Sequence, residues 1–195
     1  MEYSLEERCR RIIDDCLAIR SCDPVRIFDR IAQNDCVRIH GPEHHVLDGA
    51  SLLTAFYCAG GPLPDLKAAL YQLLREGLRM PGAVCGKWGV CGAVMSIGAA
   101  LAIIDGTGPL TADGSWESHM RYTAAALNAL ADIGGPRCCK RDGFIALRTA
   151  AGYIAQRYHV QLETKSIVCR YSSLNPQCIS GRCPFHRGPG AAEEG

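Results

Sequence analysis

Two cysteines with the chemistry to bind metal, Cys85 and Cys91, lie in a glycine-rich loop that runs directly into an apolar segment, residues 90–104. We expect this segment to be a helix that starts beside the two thiols. The first turn of a helix has unpaired N–H groups and favours negative charge, so a thiol there is expected to have a lowered pKa. The thiolate is both the nucleophile and the metal ligand. The alternative is that both cysteines pack as small apolar residues.

A second pair, Cys138 and Cys139, follows a Gly134-Gly135-Pro136 sequence. Glycines of this kind end one helix and the proline begins the next, so both cysteines are expected in a first helical turn. The basic residues that follow them add positive charge, which favours thiolates. Neighbouring residues project about 100° apart on a helix, so at most one of the pair easily points towards the helix core.

A third group of candidate ligands lies near the C-terminus: Cys169, Cys178, Cys183 and His186. Cysteine and histidine ligands separated by loop residues suit a tetrahedral zinc site or an iron–sulfur cluster. A cysteine followed by proline, as at Cys183, also occurs in ferredoxin-type runs. The spacing does not follow a strict zinc-finger pattern, so both metals stay open.

Three of the six histidines occur together, at His40, His44 and His45, around a helix start predicted at Pro42. A histidine can bind metal or carry a proton near neutral pH, and it can also cap or solvate a helix end. We take His44 and His45 as candidate catalytic acids or bases. Asp48 follows on the same helix, where it can orient a histidine or face water.

Composition limits the possible functions. The chain has 195 residues, 12 cysteines and a formal net charge of +1, which gives no electrostatic argument for binding nucleic acid or an anionic membrane. The charged N-terminus lacks the apolar region of a signal peptide, and residues 90–104 fall short of the ~18 that argue for a membrane span. We therefore expect a cytoplasmic protein. In a reducing cytosol, grouped cysteines more often bind metal or do redox chemistry than form structural disulfides.

The periodicity of apolar residues predicts an all-α fold, a bundle of about six helices around a central apolar helix at residues 90–104. We expect residues 1–160 to form the helical domain, residues 161–187 a cysteine-rich segment packed on it, and residues 188–195 a disordered tail. A short strand is expected at residues 166–171. Cys9 and Cys16 lie on the apolar face of the first predicted helix, so we expect them to be core residues.

Two resemblances bear on function. Residues 89–94, Ile97-Gly98 and the Cys138-Cys139 pair resemble the C-GCAxxG-C-C family of small helical redox or metal proteins of anaerobic microbes. That family has a further cysteine before the helix that begins here near His44 and His45, where this chain has none. The chain also resembles an uncharacterised cysteine-rich domain family, sometimes found beside methyltransferase domains in anaerobic archaea and bacteria. These resemblances imply a metal or sulfur role, with a methyltransferase or a redox protein as partner.

Our main expectation is an iron–sulfur protein of redox or sulfur-transfer function. Its cofactor is expected to be a [4Fe–4S] cluster, because soft thiolates select iron–sulfur or zinc over hard cations. We expect one ligand set of Cys85, Cys91, Cys138 and Cys139, and a second site in the C-terminal group. If an iron keeps an open position, His44 or His45 is the candidate acid or base. The alternatives are a zinc-stabilised interaction module without catalysis and a thiol–disulfide protein.

Overall fold

The computed structural model describes residues 2–186 and confirms the all-α fold. Eight helices follow one another along the chain: α1 (Leu5–Ala18), α2 (Pro24–Ile31), α3 (His44–Cys58), α4 (Leu66–Arg79), α5 (Val84–Lys87), α6 (Gly92–Asp105), α7 (Ser115–Ile133) and α8 (Cys139–Tyr158). Within residues 2–186 there is no β-strand, only an isolated bridge between Cys169 and His186, so the strand expected at residues 166–171 does not form.

Helices α3 and α6 form the centre of the bundle. The apolar character of residues 90–104 predicted a central position for α6. Helix α3 is the more enclosed of the two, because it is buried from its first residue to Phe56. Gly49 allows this close packing: a Cβ at this position would overlap the backbone of Ser96. The Gly49 amide donates to Ser96 Oγ at 2.9 Å, which fixes the register of the two helices.

Polar caps begin several helices where the sequence places them. Asp23 Oδ1 accepts hydrogen bonds from the amides of Val25 and Arg26 at the start of α2, and Asp65 Oδ1 accepts one from Ala68 in α4. Each cap satisfies amides that the helix itself leaves unpaired. The second oxygen of Asp23 accepts from the amide of Lys165, so the same side chain ties the C-terminal segment to the bundle.

Helix α7 presents a different face to the core from the one its leucines suggest. Met120 and Ala124 are exposed, whereas His119, Tyr122 and Ala126 are buried. Tyr122 Oη donates to the carbonyl of Ala146 on α8, which rotates α7 about its axis. The apolar pattern was ambiguous because α7 carries apolar residues around much of its circumference.

The segment after α8 lies against the bundle with two one-turn 3-10 helices, at Ser172–Leu174 and Ser180–Arg182. Two buried aromatic residues anchor it. Tyr171 Oη donates to Asp29 of α2, and the Phe185 ring lies 5.2 Å from that of Phe144 in an edge-to-face arrangement. The tail expected at residues 188–195 lies outside the described residues. In the described part of the chain, no helix combines the length and apolar character needed to cross a bilayer.

Two cysteine-lined cavities as the candidate functional site

The twelve cysteines are all free, and the structure separates them by environment. Cys9 and Cys16 are buried in the core, which confirms their predicted packing role, and Cys36 is buried as well. Seven others line two neighbouring cavities. We call one the four-cysteine cavity, lined by Cys138, Cys169, Cys178 and Cys183. We call the other the three-cysteine cavity, lined by Cys85, Cys91 and Cys139.

The four-cysteine cavity lies between the start of α8 and the C-terminal segment. Cys138 is the residue that precedes α8, and the other three cysteines come from the segment beyond it. Phe144, Phe185 and Tyr171 form much of the apolar wall, and His186 also lines the cavity. Among residues 2–186, no carboxylate lines this cavity. All four residues of the predicted C-terminal site therefore meet here, joined by a cysteine expected elsewhere.

Hydrogen-bond donors point at three of these sulfurs. The amide of Tyr171 donates to Cys169 Sγ at 3.4 Å, and the amide of Ser180 donates to Cys178 Sγ at 3.4 Å. The Asn175 side-chain amide donates to Cys138 Sγ at 3.5 Å. Donors of this kind stabilise a thiolate more than a thiol and tune the potential of a thiolate-bound cluster.

Three helix starts build the three-cysteine cavity, which has a volume of ≈ 70 Å³. Cys85 is in the short helix α5, Cys91 immediately precedes α6, and Cys139 is the first residue of α8. Ala83, which precedes α5, has φ 63°, a conformation that costs a non-glycine residue about 1 kcal/mol or more. The structure therefore holds this turn under strain at the wall of the cavity.

Asp48 of α3 contributes the most unusual group in the three-cysteine cavity. Its side chain is fully buried, and neither carboxylate oxygen has a hydrogen-bond partner among the described residues. Burial raises the pKa of Asp48 well above its ordinary value, against the attraction of the Lys140 ammonium. A Cβ at Gly143 would overlap Asp48 Oδ1, so this glycine is required for the carboxylate to fit between α3 and α8.

His44 and His45 both line the three-cysteine cavity, and burial keeps both neutral. Burial and the nearby Lys140 ammonium lower the pKa of His44 to about 3. Its Nε2 lies 3.1 Å from the Arg38 carbonyl, and its Nδ1 has no partner in residues 2–186. Burial also lowers the pKa of His45, whose Nδ1 lies 3.4 Å from the Met80 carbonyl. At neutral pH both rings are therefore neutral, and their lowered pKa values make them weak bases, His44 above all.

A wide cleft of ≈ 450 Å³ adjoins the three-cysteine cavity. Cys85, Cys91 and Arg137 line both spaces, and Leu127 and Leu130 of α7 form the apolar wall of the cleft. The volume falls within the range of small-molecule sites. The three-cysteine cavity is therefore reachable from the surface through this cleft.

The structure divides the first predicted ligand set. Cys85, Cys91 and Cys139 lie in one cavity, and Cys138 lies in the other. The cause is the one that the helical geometry indicates: adjacent side chains at the start of α8 project in different directions. One turn of α8 thus supplies a ligand candidate to each cavity.

The expected lowering of the thiol pKa is wrong for the protein without metal. Burial raises the pKa of Cys91 and of Cys139 to about 12, and burial also raises the pKa of Cys138. Helix-start amides do oppose this shift, as those of Ala93 and Val94 do at Cys91, but their effect is smaller. These thiols are therefore protonated at neutral pH, and a bound metal would have to displace their protons.

Neither cavity holds a ready-made metal site in residues 2–186. Among residues 2–186, no group of three or more His, Cys, Asp or Glu side chains is arranged to hold a metal ion as it stands. A single zinc ion needs its sulfurs about 2.3 Å from a common centre. Each iron of a cluster takes its own cysteine, so a cluster holds its thiolates farther apart than one ion does.

Two of these site residues are only weakly indicated by the sequence. Asp48 follows two candidate histidines at helical spacing, but nothing in its surroundings shows that α3 is buried on all sides. Asn175, whose Oδ1 also lies 3.0 Å from His40 Nε2, falls in an irregular loop that no periodicity describes. Both acquire their roles from contacts between segments that are distant in the chain.

Comparison with known proteins leaves the function open. Residues 12–186 match the profile described as a family of unknown function, DUF5714. No curated protein matches the chain. No solved structure matches it either.

Proposed function

Since the chain belongs to DUF5714, a family of unknown function, we propose its role from the cysteines: it is an iron–sulfur protein with a cluster in the four-cysteine cavity. The observation that supports this proposal most is that four cysteines line a single apolar cavity. One of them immediately precedes α8, and three lie in the C-terminal segment. Four cysteine thiolates are the usual ligands of a [4Fe–4S] cluster.

The surroundings of the four sulfurs support a cluster over a packing role. Three of the four accept a hydrogen bond from an amide, which a cysteine that merely fills space does not need. The described residues line the cavity with aromatic rings and without a carboxylate, which suits a thiolate-bound cluster shielded from water. Four cysteines are also more ligands than a packing cluster needs, and their number matches that of the irons in a [4Fe–4S] cluster.

The role that follows is electron or sulfur transfer. When bound, the cluster would supply reversible one-electron chemistry. The protein would bind it through four thiolates and keep water away with Phe144 and Phe185. His44 and His45 lie in the neighbouring cavity, and His45 is the candidate proton acceptor of the two, because the low pKa of His44 makes that ring a weak base. A redox protein or a methyltransferase is the proposed partner, and the cytoplasm the proposed location.

The resemblance to C-GCAxxG-C-C proteins is part of the same proposal, because those proteins have a redox or metal role. The motif that carries it, Cys91-Gly92-Ala93, lies at the start of α6 and lines the three-cysteine cavity. A Cβ at Gly92 would overlap the His45 imidazole, so the glycine of the motif has a physical role in seating that ring.

The test is metal analysis of the full chain purified without oxygen. We expect a brown protein with iron and acid-labile sulfide, and substitution Cys183→Ser should lower the iron content per chain. Cys58→Ser is the matched control, because Cys58 lines neither cavity. The control should keep its iron.

Two other results would replace this proposal. Colourless protein with stoichiometric zinc would indicate a zinc-stabilised module. Protein free of metal, with thiols that oxidise and reduce reversibly, would indicate a thiol–disulfide protein. Cys138 and Cys139 would be poor partners for such a cycle, because they line different cavities.

A further inference from the structure

We infer that the three-cysteine cavity holds a second metal centre, in which three cysteine sulfurs are joined by one carboxylate oxygen of Asp48. The inference rests on the thiolate–metal chemistry proposed above, but it uses none of the ligands of the first centre. It assigns a mixed sulfur and oxygen ligand set to this cavity and an all-sulfur set to the other.

The sulfur ligands come from three separate helices. Cys85, Cys91 and Cys139 lie on α5, before α6 and on α8, and they line the same cavity. The amides of Ala93 and Val94 in the first turn of α6 hydrogen-bond Cys91, and the Gly41 amide hydrogen-bonds Cys139. Those amides favour negative charge, so they would stabilise the thiolates once a metal has displaced their protons.

An unsatisfied buried carboxylate is independent evidence for a ligand. Both oxygens of Asp48 lack a partner in the described part of the chain, and a buried polar group without a partner destabilises the fold. Gly143 and the Phe28 ring confine the carboxylate, because a Cβ at Gly143 would contact both Asp48 Oδ1 and that ring. A cation in the cavity would supply the missing partner.

The other carboxylate of the cavity is already engaged, whereas His44 Nδ1 is without a partner in residues 2–186, as the Asp48 oxygens are. Asp142 Oδ1 accepts from Arg141 Nε at 3.0 Å, and its Oδ2 accepts from the Cys138 amide at 3.3 Å. His44 Nε2 contacts the Arg38 carbonyl, and the His45 ring packs against Gly92. Of the two carboxylates that line this cavity, Asp48 is thus the one with both oxygens available.

The ligand set and the cleft together define the kind of centre. Three thiolates select a soft metal such as iron in a cluster, and the fourth position is held by a harder oxygen that is displaced more easily than sulfur. Cys85 and Cys91 also line the cleft of ≈ 450 Å³, so a small molecule in the cleft would reach this centre. The four-cysteine cavity shares no lining residue with that cleft except Arg141.

The test is anaerobic reconstitution of the full chain with ferrous iron and sulfide. We expect the double variant Cys85→Ser/Cys91→Ser to bind about half the iron of the unaltered chain, if both centres are clusters of equal size. The double variant Cys138→Ser/Cys183→Ser should lose the other half, and the combination of all four substitutions should lose nearly all. Cys85 is exposed and Cys91 partly buried, so the first variant is expected to fold, which circular dichroism checks.

The outcomes separate the two proposals. Full iron in Cys85→Ser/Cys91→Ser overturns the second centre, whereas full iron in Cys138→Ser/Cys183→Ser overturns the first. Asp48→Asn keeps all the thiols and tests the oxygen ligand: iron should leave that centre to a chelator about tenfold faster, with an altered electron paramagnetic resonance signal after reduction. An unchanged signal and an unchanged rate of iron loss would remove Asp48 from the ligand set.

Discussion

The two cysteine cavities meet at the first turn of α8, yet they are built in opposite ways. Cys139 enters a cavity made by helix starts, whereas Cys138 enters one closed by a segment with little regular structure. The three-cysteine cavity takes its shape from the packing of α3, α6 and α8. The other cavity takes its shape from a few anchors, chiefly Tyr171 and Phe185. Neighbouring residues can therefore serve sites that differ in stability.

Their linings differ chemically as well. In the part of the chain that the structure describes, the four-cysteine cavity is lined by aromatic rings and no carboxylate. The three-cysteine cavity is lined by two carboxylates and two histidines and adjoins a cleft. A closed site of four ligands suits a structural or electron-transfer centre, and a site with a weaker fourth ligand suits chemistry on a bound molecule. The comparison favours a division of roles between the two cavities, which the following predictions test.

The largest effect is expected from Phe185→Ala. Phe185 is 4% exposed and packs edge-to-face on Phe144, so truncation should lower the free energy of unfolding by about 3 kcal/mol. Because this ring also walls the four-cysteine cavity, iron should be lost there and kept in the three-cysteine cavity. Urea unfolding and iron analysis of the purified variant measure both effects.

Leu174→Ala is the matched control, since Leu174 lies in the same segment and is 64% exposed. It should change neither stability nor iron content. If Phe185→Ala removed iron from both cavities equally, the two regions would not be independent, and the comparison would fail.

A smaller effect is expected from adding one methyl group at Gly143. Its Cβ would meet Asp48 Oδ1 and the Phe28 ring, so Gly143→Ala should destabilise the fold by about 1–3 kcal/mol and disturb the three-cysteine cavity. Gly152 lies on the same helix with nothing within 4 Å of its Cβ position. Gly152→Ala should therefore be neutral or stabilising by up to about 1 kcal/mol. The midpoints of thermal unfolding of the two variants measure both effects. If both midpoints shifted in the same direction, this account would be refuted.

The loop before α3 offers a pH-dependent test of the packing beside the three-cysteine cavity. Glu43 is fully buried, with Oε1 accepting from the Arg38 amide at 2.8 Å and Oε2 from Arg38 Nη2 at 2.7 Å. Burial favours the neutral acid, but the Arg38 hydrogen bonds outweigh it and lower the pKa of Glu43 to about 2 from 4.5. Because the folded pKa is the lower one, this stabilisation is complete above pH ~4.5 and is lost as the pH falls towards 2.

Glu43→Gln should therefore cost about 1–2 kcal/mol at pH 7, a value reduced for the partial exposure of Arg38. The cost should shrink as the pH is lowered from 5 towards 2, as urea titrations at several pH values would show. Glu76→Gln, which alters an exposed pair with Arg79, is the control and should have little effect. A cost for Glu43→Gln that did not vary with pH would contradict the ionised state of Glu43.

Much of the fold could be predicted because it depends on local chemistry. The caps at Asp23 and Asp65, the proline at the start of α2 and the apolar run of α6 each act within a few residues of themselves. The orientation of α7 could not be predicted, since Tyr122 is directed by a carbonyl on α8. The pattern of apolar residues alone does not rank the possible faces of such a helix.

The candidate site, too, could be predicted only where it depends on residues that are close in the chain. The sequence marks which cysteines are grouped, and it indicates that Cys138 and Cys139 diverge. It does not show that Cys138 meets the C-terminal cysteines, because that contact depends on how residues 159–186 lie against the bundle. The pKa of Cys91 was misjudged for a related reason: a helix start is visible in the sequence, but the depth of burial that outweighs it is not.

The smallest effect is expected at a cysteine that belongs to neither cavity. Cys9 is 1% exposed in the core, so Cys9→Ala should cost about 1 kcal/mol as a packing loss and leave bound metal unchanged. Cys91→Ala should instead strip metal from the three-cysteine cavity. Metal analysis of both variants, beside their unfolding curves, compares a packing thiol with a ligand thiol in one chain. Equal metal content in the two variants would mean that Cys91 is a packing residue and not a metal ligand.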